Sequence, residues 1–102
     1  MIEHCVFCQI RTDVTSTALA DVFERLASLL PVVDGMVDFR AGPNRDFESK
    51  SGQYTHGFIC TFRDRDAHLE YERHPVHAAA GKDLVALCVG GYEGITVFDI
   101  EV

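Results

Sequence analysis

The sequence predicts an α+β fold in which a four-stranded antiparallel sheet carries helices on one face. Three observations predict it: strict two-residue alternation over residues 53–63, apolar residues at three- and four-residue steps over residues 19–30, and a proline at position 75 that divides a second helical stretch in two. At 102 residues the chain has material for one core and not for two, since a domain of this size buries roughly two-thirds of its unfolded surface. One domain spanning residues 1–102 is expected.

Residues 2–10 place Ile2, His4, Val6, Cys8 and Ile10 on one side and Glu3, Cys5, Phe7 and Gln9 on the other. This is the pattern of a strand with both faces largely apolar and both covered. The Asp13 to Thr17 segment offers several capping side chains, after which Leu19, Val22, Phe23, Leu26, Leu29 and Leu30 form one stripe of an amphipathic helix ending near Pro31. Residues 32–40 read as a short strand associated with the Asp34-Gly35 turn signal, and residues 42–52 as a polar loop without periodicity. The third strand, residues 53–63, points Tyr54, His56, Phe58, Cys60 and Phe62 one way and Thr55, Gly57, Ile59 and Thr61 the other. Asp64 caps the next helix, and Pro75 interrupts it, because the proline ring disfavours helical dihedrals at His74 yet suits the first turn of a new helix reaching about Cys88. After the turn at residues 90–94, residues 95–102 form the last strand. The order β-α-β-β-α-(α)-β is the split β-α-β arrangement of a ferredoxin-like sheet.

With helices on one side only, the other side of such a sheet stays bare. Here it would carry Cys5, Phe7, Ile59, Thr96, Phe98 and Ile100, a continuous apolar patch that a monomer should not expose. A homodimer through this open face is the expected solution.

Composition excludes several classes of partner. Sixteen acidic against nine basic residues give a net charge of −7 with no basic cluster, so phosphate backbones and anionic membranes are repelled. The opening residues have no basic segment followed by a long apolar run, and no stretch approaches the ~18 apolar residues of a membrane span. A cytoplasmic protein is expected. The four cysteines, at 5, 8, 60 and 88, lie in apolar surroundings and read as buried thiols. Cys5 and Cys8 have C-x-x-C spacing, but three residues apart on a strand they face opposite ways. No metal and no cofactor is expected, because His4 and His56 fall toward opposite ends of neighbouring strands and His74 and His77 form only a local pair across a proline.

The chemistry-bearing residues gather around the helix break. Tyr71, His74 and His77 cluster there, and His56 alternates inward on the preceding strand. Imidazole, with an ordinary pKa near ~6.5, accepts or donates a proton near neutrality, and a phenol near ~10 donates to a developing oxyanion. Together they suit enolisation of a carbonyl compound; the competing reading is that Tyr71 and His77 cap helices and plug the core. His68, among Asp64, Arg65, Asp66, Glu70, Glu72 and Arg73, is assigned to the exposed face.

Tyr54-Thr-His56, the join from Phe62 to Asp64, Tyr71 with His74-Pro75-x-His77, the opening Met1 to Phe7 and the closing Val97-Phe98-Asp99 resemble the stress-responsive dimeric α/β barrel (Dabb) family. The likeness spans nearly the whole chain. It implies two ferredoxin-like subunits joined sheet to sheet, each with a pocket between its own sheet and helices. Members include proteins without assigned activity, plant stress proteins and a polyketide cyclase that closes a ring by aldol chemistry without a cofactor. Similarity to the cyclase implies His77 as general base, Tyr71 hydrogen-bonded to the carbonyl oxygen and Asp99 holding His77 in the useful tautomer. His4 and His56 would line the pocket, with Val6, Phe23, Leu26, Phe58, Leu84 and Leu87 as apolar walls. The chain departs from the cyclase at Leu26, where the cyclase has tyrosine, and in the longer segment at residues 90–94. An apolar small molecule bearing carbonyl or hydroxyl groups is the expected ligand. The resemblance leaves open a non-enzymatic stress-response or ligand-binding dimer and a cofactorless monooxygenase-like protein.

Overall fold

The computed structural model describes residues 1–102. Its elements run β1 (Ile2–Cys8), α1 (Ser16–Ala27), β2 (Met36–Pro43), β3 (His56–Phe62), α2 (Arg65–Arg73), α3 (Pro75–Leu87), a single 3-10 turn (Gly91–Gly94) and β4 (Ile95–Glu101). The strands form one sheet in the order β2-β3-β1-β4, with every neighbouring pair antiparallel. This is the ferredoxin-like α+β sheet with three helices. No helix is long and apolar enough to cross a membrane.

The register fixes which residues share a face. His4 stands opposite Cys60 on β3 and Asp99 on β4, and Val6 opposite Phe58 and Val97. The helix-side core gathers Val6, Cys8, Phe58, Cys60 and Phe62 from the sheet with Leu19, Val22, Leu26, Ala67, Tyr71, Ala80 and Leu84 from the helices. Phe58 joins two further rings, Phe39 at 5.6 Å and Phe23 at 5.9 Å between centroids. Cys5 and Cys8 fall on opposite faces, and all four cysteines are free thiols, three of them buried. Burial pushes the Cys8 and Cys60 thiols up to about 12, so neither is a thiolate near neutrality.

Several boundaries differ from the sequence reading. Helix α1 stops at Ala27, and residues 28–33 form tight turns in which the Val32 and Val33 amides both donate to the Leu29 carbonyl. Val33 is thereby driven into the core and is not part of a strand. Gly35, at φ +85°, then reverses the chain against Ala67, whose Cβ would lie 2.8 Å from any Cβ added there, so glycine is required by both dihedral and space. Strand β2 accordingly begins at Met36 and runs on to Pro43, later at both ends than expected. Strand β1 ends at Cys8, with Ile10 reduced to an isolated bridge to Cys88. The polar loop is tied internally: the Asp46 carboxylate accepts from the Lys50 amide at 2.7 Å, and the Asn44 side chain donates to the Tyr54 carbonyl at 2.8 Å. Tyr54 precedes β3, so alternation does not govern it; its hydroxyl bonds that of Thr96 and its ring lies 6.5 Å from Phe7, on the open face.

Candidate functional site

Strand β4 is one edge of the sheet, and after Thr96 all its residues are exposed. Helices α1 and α3 pack on one another over the sheet, which leaves a cavity of about 490 Å³ between the β1/β4 side and helices α2 and α3. Its apolar walls come from Val6, Leu26, Phe58, Leu84, Val85 and Val97. Its polar groups are His4, His68, Glu72, His77, Lys82 and Asp99, and Tyr92 from the 3-10 turn stands exposed at the rim.

The helix break positions His77. His74 leaves helical geometry at φ −65° and ψ 135°, and its Nδ1 accepts from the Val76 amide at 3.1 Å, capping α3 ahead of Pro75. The Val76 amide would have bonded the Glu72 carbonyl had the helix continued, so that carbonyl is left as one of the free acceptors of a helix end. His77 Nδ1 meets it at 3.0 Å. A carbonyl only accepts, so Nδ1 carries the proton and Nε2 keeps its lone pair. Burial lowers the His77 pKa, with the Glu72 carbonyl and carboxylate acting the other way. The neutral, proton-accepting form therefore prevails at neutral pH.

Tyr71 does not join it in the cavity. It is 0% exposed, its ring lies 5.1 Å from Phe62 and 4.6 Å from His77, and its hydroxyl receives the Cys60 thiol at 3.8 Å. Burial raises its pKa strongly. The phenol expected to meet a carbonyl oxygen is instead a core side chain beneath His77, because α2 aims it at the middle of β3. Asp99 is likewise reassigned: it accepts from His4 Nδ1 at 2.6 Å, its opposite number in the β1/β4 register, and not from His77. His56 lies on the helix side but four residues along β3 from Cys60, opposite Cys8, where its Nδ1 bonds the Thr55 hydroxyl at 2.9 Å. It is outside the cavity. Phe23 and Leu87 also sit outside it, packed against the core.

His68 is the residue the sequence reading missed. It is half-buried, with its ring 4.6 Å from His4 and 5.3 Å from Phe62. The signal was present: His68 is three residues before Tyr71 and therefore shares its inward face. Burial lowers its pKa, and His4 lowers it further. One ligating atom from each of His4, His68 and Asp99 lies within 4.8 Å of the others.

The open face bears a second concavity, of about 810 Å³, between the strands and the 43–54 segment. Phe7, Tyr54, Ile59 and Phe98 line it beside Arg40 and Lys50, and no histidine reaches it. The imidazoles that line a cavity are those of the helix side.

Residues 2–102 match the family model described as the stress responsive A/B barrel domain. The chain is 24% identical over 100 residues to the stress-response A/B barrel domain-containing protein HS1 of Arabidopsis thaliana, covering 98% of this chain and 88% of that one. It is 42% identical to a dimeric ferredoxin-like protein of unknown function from Jannaschia sp. CCS1, whose crystal structure superposes with a TM-score of 0.94 over 99% of this chain and 98% of that one. A hydroxynitrile lyase from Passiflora edulis shares the fold at 16% identity, with a TM-score of 0.81 over 99% of this chain and 92% of that one.

Proposed function

This chain belongs to the stress responsive A/B barrel domain family, and we propose that it is a homodimer whose subunits each catalyse proton transfer on an apolar carbonyl compound without a cofactor. The observation that carries the reading is the bond from His77 Nδ1 to the Glu72 carbonyl, which leaves Nε2 as a neutral base at a cavity with apolar walls. Lys82 is the lining cation that a carbonyl oxygen would meet as negative charge develops. Tyr71 supports His77 from below, in place of the donor role that the resemblance implied. The dimeric description of the Jannaschia protein supports assembly through the apolar face of Phe7, Ile59, Phe98 and Ile100.

Proton exchange tests the base directly. In D2O, the protein should accelerate deuterium incorporation at the acidic C–H of aryl β-diketones, followed by NMR. His77→Ala should abolish the acceleration with the circular dichroism spectrum unchanged; equal rates in the two proteins would refute the reading.

A ligand-binding dimer is the second reading, favoured by Tyr71 filling the core and offering no hydroxyl to the cavity. It predicts binding of the same diketones without exchange. His77→Ala would then lower stability by about 0.5–1.5 kcal/mol through loss of its exposed bond to Glu72.

A further inference from the structure

We infer that His4, His68 and Asp99 form a binding site for one divalent transition-metal ion of the borderline class that includes zinc. The site does not depend on His77 acting as a base.

Three separate elements bring the donors together: His4 comes from β1, His68 from α2 and Asp99 from β4. Their ligating atoms already lie within 4.8 Å of one another. In a tetrahedral zinc site with bonds of about 2.1 Å, neighbouring donors stand about 3.4 Å apart. Side-chain rotation of roughly an ångström brings the donors to that spacing, and Asp99, whose side chain is 45% exposed, moves to give up its 2.6 Å bond to His4.

The framework is rigid where it must be. His4 is 8% exposed, it faces Asp99 directly across the β1/β4 ladder, and its Nδ1–H is held by the Asp99 carboxylate at 2.6 Å. Zinc would take the place of the proton in that bond, so that His4 Nδ1 and the Asp99 carboxylate both become donors while Nε2 carries the ring hydrogen, and binding releases a proton. The Phe62 ring, 6.1 Å from His4 and 5.3 Å from His68, flanks both imidazoles. The two imidazole rings are tilted by 41° and not stacked flat.

Donor chemistry selects the ion. Two imidazoles and one carboxylate suit zinc and its transition-metal neighbours far better than calcium or magnesium, which prefer oxygen alone. The net charge of −7 draws cations to the surface, and Glu72 adds a carboxylate to the same cavity, opposed by Lys82. All three donors line the cavity, so a fourth position would open into it.

Zinc alone is the probe, titrated into tag-free protein by calorimetry and by competition with a chromophoric chelator. One ion per chain is expected, with His68→Ala and Asp99→Ala each weakening it by at least the ~10–100-fold seen when even an orienting partner is lost. Both residues are off the buried core, and circular dichroism would confirm that the variants fold. His74→Ala and His77→Ala should bind zinc as the parent does. Absence of stoichiometric binding by the parent, or binding that survives both His68→Ala and Asp99→Ala unchanged, would overturn the assignment. Because His77→Ala removes the base and keeps the site, failure of the proton-transfer reading and failure of this one give different results.

Discussion

The two faces of the sheet are built from the same strands yet serve opposite ends. On the helix side, alternate residues of β1 and β4 contribute His4 and Asp99 to a walled cavity; on the open side, the residues between and beside them, Cys5, Phe98 and Ile100, contribute apolar surface. Phe98 is 54% and Ile100 53% exposed in the single chain. The difference follows from the period of a strand, which lets one sequence specify a polar site on one face and an association surface on the other. A one-residue slip of β4 would exchange the two sets. The β1/β4 register is therefore what the His4–Asp99 pair and the association surface both stand on.

The largest effect should come from breaking the open face alone. Phe98→Asp places a charge at the centre of the apolar patch beside Phe7, whose ring lies 6.1 Å away. Burying an unpaired carboxylate there is far more costly than leaving it in water. Sedimentation velocity should show the parent as a dimer and the variant as a monomer, while the His77 side keeps its geometry. A variant that remains dimeric would place the interface elsewhere.

A smaller effect separates the helix side. Burial lowers the pKa values of His56, His68 and His77 below the ordinary imidazole value. The unfolded chain titrates near ~6.5 and the folded chain lower, so between those values the unfolded state binds more protons. Stability should be constant as pH falls to the unfolded value and should then decline as pH falls further toward the folded values. Urea unfolding at a series of pH values reads this slope, and His77→Asn should reduce it. If His77→Asn steepened the slope instead, His77 would be charged in the folded protein.

Much of this was legible in the sequence, and what was not has a physical cause. Periodicity located α1 and β3, and Pro75 located the helix break, because these depend on residues close together in the chain. The partner of Asp99 was not legible from local pattern. It is set by antiparallel pairing between residues 95 positions apart, and only the β1/β4 register places it on His4. Val33 and Tyr54 misled for a related reason: each lies just outside a strand, where a turn and not the pleat decides the direction of the side chain. His68 was hidden by its charged neighbours, although its helical spacing from Tyr71 marked it as inward-facing.

Tyr71→Phe should have the smallest effect, and it sharpens the contrast between a residue that lies next to the site and one that belongs to it. The substitution keeps the ring that packs on Phe62 and His77 and removes only the hydroxyl, whose one partner is the Cys60 thiol at 3.8 Å. A long sulfur bond of that kind is weaker than an ordinary hydrogen bond, and the loss should be under about 1 kcal/mol. Tyr71→Ala, by contrast, leaves a cavity under His77 and should cost about 3–5 kcal/mol. If Tyr71→Phe matches the parent in both urea midpoint and deuterium exchange, the phenol is packing alone. If exchange falls severalfold at unchanged stability, the hydroxyl turns toward the substrate when the cavity is filled, and the acid partner of His77 lies on α2.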